Sequence, residues 1–340
     1  MVAIDKSAIR IRPYVEDDYD QVMDFLVQGF NTVGERILAR TIKRPSTALS
    51  ILTQSITYTL LIELALTALT NAPTSTGSSA LSVENLRSLH ETLMKPESVQ
   101  DLILRFLKPS FLLLWCIVSL IVAGTTLARI YRKCVSSNRD YIQSCFNDDL
   151  QDIQGYYQSS MQDSTPPSDD QKKGNNKTSK KKNRSQFWVA CLDSHPQVIM
   201  GCIALDDNYA HAAHLKKKHL AQGETAESFT MPRESDAELR RLSVHPDYRR
   251  LGISKILVEK LIEYAKEQGF KRVIMSTTMV QKEALVGYIR RGFEKERLIT
   301  IDNVFNIWFG ALDLTTTPPE KDKEIRSRKQ QEWLREVAAY

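Results

Sequence analysis

The chain has 340 residues, with 46 Lys and Arg against 41 Asp and Glu, so its formal net charge is a modest +5. This length suits one large domain or two small ones. The five cysteines are odd in number and irregularly spaced, which excludes a disulfide framework and a paired-cysteine zinc site. A reducing, cytosol-facing catalytic region is the simplest interpretation.

The first patterned segment is 9–30, IRIRPYVEDDYDQVMDFLVQGF. Its spacing predicts a short strand, an acidic turn and an amphipathic helix. The opening residues of the chain are charged and not apolar, so no signal peptide is predicted.

Two apolar stretches follow. Pro109–Ala128 contains 20 residues without a charge, which matches the length needed to cross a bilayer. Ser46–Leu69 contains ten Leu and Ile residues, but Glu63 would cost about 3 kcal/mol if charged at membrane depth. We therefore predict a transmembrane helix at 109–129 and a marginal one at 46–69.

Basic residues flank both stretches on their outer sides. They are Arg36, Arg40, Lys43 and Arg44 before the first stretch, and Arg129, Arg132 and Lys133 after the second. The positive-inside rule places both outer ends in the cytosol. The linker 71–101 would then lie on the opposite side of the membrane.

Segment 158–184 is polar and low in complexity. Seven Lys and Arg residues fall between Lys172 and Arg184, with no acidic residue among them. Such a run is typical of a solvated, disordered loop. Because no aromatic side chain interrupts it to stack on bases, nucleic acid is not predicted as a partner.

The remaining part alternates strand and helix patterns. Strands are predicted at 186–190, 198–205, 238–244, 271–277, 298–301 and 304–312, with helices after Ser254 and at 281–291. The predicted fold class is α+β, a mostly antiparallel sheet flanked by helices. A charged tail, 320–340, has the spacing of an amphipathic helix, but the sequence does not say whether it lies on a membrane or on the domain.

The turn Arg249–Ser254 (RRLGIS) lies between the strand 238–244 and a helix. A helix N-terminus offers unpaired N–H donors and partial positive charge to phosphate, and two guanidinium groups add to it. The turn has neither the P-loop pattern nor the dinucleotide-binding Gly pattern.

Strand, turn and helix together resemble motif A of the GNAT superfamily of acetyl-CoA-dependent N-acetyltransferases, with Ser254 in place of the usual Gly or Ala. The apolar insert, together with ALVGYIRRGF and VFNIWFGAL, is similar to the camello-like family of membrane N-acetyltransferases. That resemblance implies acetyl-CoA as acetyl donor and no metal. It also implies that both halves of the domain lie on one side of the membrane, so the insert would be a transmembrane helical hairpin or a re-entrant hairpin.

The resemblance assigns roles to particular residues. The backbone of Leu242, Ser243 and Val244 would pair with the pantetheine arm, and Arg249, Arg250, Leu251, Gly252, Ile253 and Ser254 would wrap the pyrophosphate. Tyr288 would protonate the departing thiolate, since a phenol is protonated at neutral pH. Glu238 is the candidate base; His245, close by in sequence, is expected to face solvent.

A metal site is not predicted. His211, His214 and His219 cluster in HAAHLKKKH, and two of them share a helical face. No cysteine or carboxylate completes a zinc set at ordinary spacing.

The predicted organisation divides the chain into six parts. They are 1–45 (first strand and helix), 46–131 (membrane hairpin), 132–157 (return segment), 158–184 (basic loop), 185–312 (catalytic core) and 313–340 (tail).

The predicted function is transfer of acetyl to an amine by an integral membrane enzyme, for which the family implies the endoplasmic reticulum and a cytosolic catalytic domain. A cysteine S-conjugate is one acceptor; a protein lysine or N-terminus is another. A catalytically silent membrane interaction protein of the same fold stays an alternative.

Overall fold

A computed structural model describes residues 8–70, 109–158, 183–221, 225, 230–301, 305–315 and 320–340. By its internal contacts the chain divides into two compact units, Met1–Ile37 with Ser137–Tyr340, and Leu38–Ser136. The first unit contains the sheet and the candidate site. The six-part division predicted from the sequence stays a prediction.

The first unit is built on one seven-stranded sheet with the order β1-β2-β3-β4-β5-β7-β6. Its strands are β1 (Ile9–Pro13), β2 (Gln186–Leu192), β3 (His195–Asp206), β4 (Asp236–Val244), β5 (Arg272–Thr278), β6 (Glu294–Ile301) and β7 (Phe305–Asp313). The β4–β5 pair is parallel and the other neighbours are antiparallel. The predicted mostly antiparallel sheet flanked by helices is confirmed.

Helices precede, separate and follow these strands. In the described residues they are α1 (Tyr19–Lys43), α2 (Pro45–Thr70), α3 (Pro109–Phe146), α4 (Ile153–Gln158), α5 (Ala212–Ala221), α6 (Ile253–Glu267), α7 (Lys282–Arg290) and α8 (Glu320–Ala339).

The sheet buries apolar side chains on both faces. One core includes Phe25 and Leu26 of α1 and Ile153 of α4 against alternate residues of β2 and β3. The other includes Leu257 and Leu261 of α6 against the opposite face. Because successive strand side chains point to opposite faces, the continuous apolar run of β2 serves both cores.

The β4–α6–β5 unit explains the single parallel pair, since parallel neighbours need a crossover connection. Gly252 caps α6 at a positive φ of 87°, a conformation that glycine adopts at little cost. Ile253, Leu257, Leu261 and Ala265 then recur on the buried face of the helix, which fixes its first turn against the sheet beside β4.

The C-terminal tail forms α8 and packs on the domain. Val337 is buried in the core with α6 and α7, and Gln330 Nε2 donates to the Ile289 carbonyl of α7 at 2.6 Å. Lys295 Nζ lies 2.7 Å from the Glu336 carboxylate. These contacts show that the tail packs on the domain, which the sequence alone does not decide. They also support α7, the helix that carries Tyr288.

The second unit contains α2 and most of the apolar part of α3. Among the described residues, α3 is the one helix long and apolar enough to cross a membrane, and 17% of its most apolar window is buried. Leu113, Leu120 and Ile121 on it are more than half exposed. A second crossing by α2 stays a prediction, and the linker 71–101 lies outside the described residues.

Candidate active site

Strands β4 and β5 part from each other halfway along their length. Their pairing runs from Asp236–Arg272 to Leu239–Met275 and stops there, although β4 continues to Val244 and β5 to Thr278. Opposite β3, the register of β4 shifts between Arg240 and Ser243, and Arg241 has a φ of 56°. A bulge of this kind bends a strand and increases its twist, so β4 turns away from β5.

A cleft of about 890 Å³ opens where the two strands separate. Its walls come from β4, the turn before α6, the end of β5, one face of α7, α1 and the end of α3. The predicted site residues that line it are Glu238, Leu242, Ser243, Val244, Arg249, Arg250, Gly252, Ile253, Ser254 and Tyr288. Leu251 instead packs against the core.

One end of the cleft is the turn that leads into α6. Arg250 and Gly252 both have positive φ, 66° and 87°, and no side chain caps the helix. A Cβ at Gly252 would meet nothing within 4 Å, so the space in front of the helix N-terminus is open. Unpaired N–H donors, the helix dipole and two arginines make this end a site for an anion.

Tyr288 lies on the face of α7 that lines the cleft. Ala284, Gly287, Tyr288 and Arg291 all line it, which is the i, i+3, i+4, i+7 spacing of one helical face. Tyr288 is 5% exposed, and its ring packs edge-on against Phe293 with centroids 5.5 Å apart. Burial raises the pKa of Tyr288 well above its ordinary value, against an opposing effect of Arg291, so the hydroxyl keeps its proton.

Glu238 lines the cleft from β4, one residue before the last residue of β4 that pairs with β5. Burial raises the pKa of Glu238 above its ordinary value, against the opposing effects of Arg240 and a hydrogen bond from Asn208. Asn208 Nδ2 donates to Glu238 Oε2 at 2.9 Å. A carboxylate with a raised pKa is a better proton acceptor than an ordinary one. The cleft thus brings together a helix N-terminus beside two arginines, a buried phenol and a carboxyl group with a raised pKa.

Residues 147–293 match the family model described as the acetyltransferase (GNAT) family. The chain contains a GNAT acetyltransferase domain. Strands β1, β6 and β7 and helix α1 lie outside the matched residues. The resemblance to GNAT acetyltransferases predicted from the motifs is confirmed for residues 147–293.

The chain is also similar to curated N-acetyltransferases. It is 34% identical to human N-acetyltransferase 8B over 84 residues, which is 25% of this chain and 35% of that protein. It is 40% identical to the probable N-acetyltransferase camello of Xenopus tropicalis over 60 residues, 18% and 27% of the two chains. The matched regions therefore span between about a quarter and about a third of these relatives.

Solved structures with partial similarity include an acetyltransferase of the GNAT family from Staphylococcus aureus, with 21% identity, a TM-score of 0.31 and coverage of 49% of this chain and 77% of that one. A streptothricin acetyltransferase from Bacillus anthracis, solved with acetyl coenzyme A, has 19% identity, a TM-score of 0.29 and coverage of 38% and 62%.

A buried ion network supports the bulged part of β4 in the GNAT domain. Arg241 Nε donates to Asp149 Oδ2 at 2.8 Å, and a second nitrogen of the same guanidinium pairs with the other oxygen. Arg240 reaches Asp206 at 2.6 Å and Asp148 at 3.2 Å. The Asp149 side chain is fully buried. The network holds a strained, non-glycine residue at positive φ, where the surrounding contacts must fix it.

Sequence reasoning misses this network. Asp148 and Asp149 follow the apolar helix in a segment predicted only as a return connection, and their arginine partners lie about 90 residues later. The available signal is the pair Arg240–Arg241 inside a predicted strand, since charged residues there need buried partners.

The histidines contact aspartates of the same network. His211 Nδ1 lies 2.7 Å from Asp206 Oδ1, and His214 Nε2 lies 2.7 Å from Asp148 Oδ1. No group of three or more potential metal ligands occurs among the residues that the structure describes, and the side chain of His219 is outside that set. His245 packs its ring near Phe25, with centroids 6.3 Å apart.

Proposed function

We propose that the chain is a membrane-anchored, acetyl-CoA-dependent N-acetyltransferase acting on an amine. The observation that carries this proposal is the parting of β4 and β5 over a cleft that ends at the N-terminus of α6. A cofactor with a pyrophosphate at one end and a thioester at the other needs an anion site joined to a cleft that receives the rest of the molecule. The cleft runs from the turn before α6 to the walls that carry Glu238 and Tyr288, which supports this fit.

In this proposal the backbone of Leu242–Val244 pairs with the pantetheine arm, because β4 has no pairing with β5 there. The turn Arg249–Ser254 holds the pyrophosphate through its N–H groups and guanidinium charge. The open space at Gly252 fits phosphate oxygens that approach the backbone closely. The thioester, when bound, supplies an activated acetyl group.

Glu238 and Tyr288 divide the proton transfers. An acceptor arrives as an ammonium ion and must lose a proton before its nitrogen attacks, and the Glu238 carboxylate accepts that proton. A new C–N bond forms as the C–S bond breaks, and the Tyr288 hydroxyl donates its proton to the departing sulfur. The nitrogen loses its second proton as the amide forms, and a proton returned directly or through solvent restores the Tyr288 hydroxyl. The two residues line the cleft from different elements, Glu238 from β4 and Tyr288 from α7, which supports separate roles for them.

For the acceptor we propose a small amphiphilic amine, such as a cysteine S-conjugate, presented at a lipid surface. Phe30 and Tyr141 pack edge-on with ring centroids 5.5 Å apart and both line the cleft, which provides an apolar wall. A protein lysine or N-terminus is the alternative acceptor. The relatives' names support amine acetylation in general and do not choose between these acceptors.

Cofactor binding is tested by replacing Gly252 with tryptophan. The side chain would occupy the anion cradle and remove the charge-assisted hydrogen bonds of the turn, each worth about 1.5–3 kcal/mol. We expect the Kd for acetyl-CoA to rise at least about tenfold, since 1.4 kcal/mol is a factor of ten. Isothermal titration calorimetry on the detergent-purified chain measures it.

The matched control is Gly269→Trp at the other end of α6. Gly269 also has a positive φ, 76°, and open space at its Cβ, so the backbone strain is similar but the cradle is untouched. Wild-type affinity in Gly252→Trp, or equal losses in both variants, would contradict the assignment. Absence of both acetyl-CoA binding and CoA release with an amine panel in the wild type would leave the membrane interaction protein as the function.

We further propose that 46–131 crosses the endoplasmic reticulum membrane twice, with the catalytic domain in the cytosol. Support comes from the length and exposed apolar surface of α3 and from the basic residues outside both stretches. An N-glycosylation acceptor sequence inserted in 71–101 should be glycosylated in microsomes. The same insertion in 158–184 is the control and should stay unmodified; an unmodified 71–101 insertion would contradict the hairpin.

A further inference from the structure

Asn208 lies behind Glu238, outside the residues that line the cleft. It belongs to the turn that follows β3, and its amide nitrogen Nδ2 donates to Glu238 Oε2 at 2.9 Å. The next residue back, Asp207, anchors this turn: Arg184 Nε donates to its Oδ2 at 2.8 Å, and the Ala210 N–H contacts its Oδ1 at 3.3 Å. The amide is therefore held in place by a fixed turn.

The amide of Asn208 makes one polar contact in the described structure. Its oxygen Oδ1 is buried and has no hydrogen-bond partner among the described residues. A buried polar atom without a partner destabilises a fold. Asn208 is nevertheless an amide at this buried position. Among the described residues its one hydrogen-bond partner is Glu238.

Glu238 lies among charges of both signs. On its own strand Arg240 and Arg241 favour the carboxylate, and Asp206 on β3 disfavours it. The other charged side chains that line the cleft are Arg36, Asp148, Arg249, Arg250, Glu283 and Arg291. The arginines nearest Glu238 are already bound to Asp149 and Asp206, so a neutral amide donor is the group that contacts the Glu238 carboxylate directly.

We propose that Asn208 is a positioning residue that fixes the orientation of Glu238 and holds it in the ionised form that accepts the proton of the acceptor amine. This inference rests on the proposed function of Glu238 as the base. A donor to a carboxylate favours its charged form, so removal of the amide raises the pH at which Glu238 becomes ionised. A base works only when ionised, hence activity at acidic pH falls first.

The test is the pH dependence of kcat/KM for acetyl transfer by the full-length, detergent-purified chain. Asn208→Leu keeps a similar side-chain volume and removes the hydrogen-bond donor. The acid limb of the profile, where kcat/KM falls as Glu238 becomes protonated, is expected to move to higher pH by about one pH unit. Asn208→Asp places a second carboxylate beside Glu238 and should move the limb further. At pH values below the acid limb of the wild type the leucine variant is then about tenfold less active, with little difference at pH 9.

Gln28→Leu is the matched control. Gln28 Nε2 also donates to a carboxylate at 2.9 Å, but on the exposed surface of α1, so its loss should leave the pH profile unchanged. An unchanged dissociation constant for acetyl-CoA in both Asn208 variants confirms that the domain is folded. If Asn208 had a structural role alone, its loss would lower activity at every pH. The acid limb would then not move to higher pH in the order wild type, Asn208→Leu, Asn208→Asp.

Glu238→Gln separates the two levels of the proposal. If this variant loses activity but the acid limbs of wild type and Asn208→Leu coincide, Asn208 has no positioning role and the base assignment stands. If Glu238→Gln keeps wild-type activity and an acid limb, Glu238 is not the base and the inference about Asn208 fails with it.

Discussion

Replacement of Tyr288 by phenylalanine is expected to lower kcat for acetyl transfer by about 10²–10⁴, the usual contribution of a positioned acid. The variant removes one hydroxyl group and keeps the ring. Because the ring contact with Phe293 is edge-on and apolar, the packing of α7 should persist. The dissociation constant for acetyl-CoA and the melting temperature should therefore stay close to wild type.

The chemical reason is the proton required by the departing thiolate. A thiol has an ordinary pKa of about 8.5, and Tyr288, whose pKa is raised by burial, stays protonated throughout the working range. An acid is active below its pKa, so activity would be lost only as the pH rises through that raised value. Wild type should accordingly show no alkaline limb from Tyr288 up to about pH 10.

Tyr264→Phe is the control for the loss of a hydroxyl. Tyr264 is a partly buried tyrosine on α6 that packs edge-on against Trp188, with centroids 5.0 Å apart, and burial also raises its pKa. It does not line the cleft, so full activity is expected. Steady-state kinetics of the two variants decide the role of Tyr288, and a Tyr288→Phe enzyme with wild-type kcat would remove it from the mechanism.

Replacement of Asp149 by asparagine should destabilise the GNAT domain by about 3–5 kcal/mol, the usual effect of removing one member of a buried ion pair. Arg241 has 6% of its side chain exposed and would lose its carboxylate. A fall in melting temperature of about 6–20 °C follows, at about 2–4 °C per kcal/mol. Thermal denaturation of the detergent-purified chain, followed by circular dichroism, measures it.

The pH dependence of this effect has a definite sign. Burial alone would raise the pKa of Asp149, but Arg240, Arg241 and the Tyr157 hydroxyl hold it well below its ordinary value. A carboxylate with a lowered pKa stabilises the fold fully above its unfolded pKa of about 3.9 and loses that contribution as the pH falls towards the folded value. The difference between wild type and Asp149→Asn should be constant above about pH 5 and shrink below about pH 4.

An exposed ion pair provides the comparison. Lys260 and Glu263 lie 2.8 Å apart on α6, and both side chains are more than a third exposed. Glu263→Gln should cost at most about 1 kcal/mol. Equal, small losses in the two variants would show that the Asp149 network contributes little and that other contacts maintain the bulge in β4.

The parts of the site that are predictable from sequence are those whose residues are neighbours in the chain. The turn 249–254 joins a strand to a helix directly, so its proposed phosphate-binding role is predictable from local order alone. Tyr288 is identified by the short segment around it and by the resemblance. The strands of the sheet are also predicted, with boundaries within about four residues of those observed. Helices α4 and α5 are not predicted, and α1 runs to Lys43, beyond the predicted segment 9–30.

The parts that are not predictable depend on residues far apart in sequence. Arg241 and Asp149 are 92 residues apart, and Asn208 and Glu238 are 30 apart. No local pattern relates these residues. A histidine cluster such as HAAHLKKKH indicates a helical face, but only the fold shows that His211 and His214 contact aspartates.

By itself, then, the sequence determines an α+β domain, a turn with the local chemistry of an anion site and an apolar insert, because hydrophobic periodicity and turn chemistry are local properties. The tyrosine acid candidate comes from the resemblance of the motifs. The tertiary structure alone decides where β4 leaves β5, that the tail packs on α7, and which carboxylates hold Arg240 and Arg241. These features come from strand register and from the pairing of buried charges, which the low-dielectric interior demands but which only the folded chain brings together.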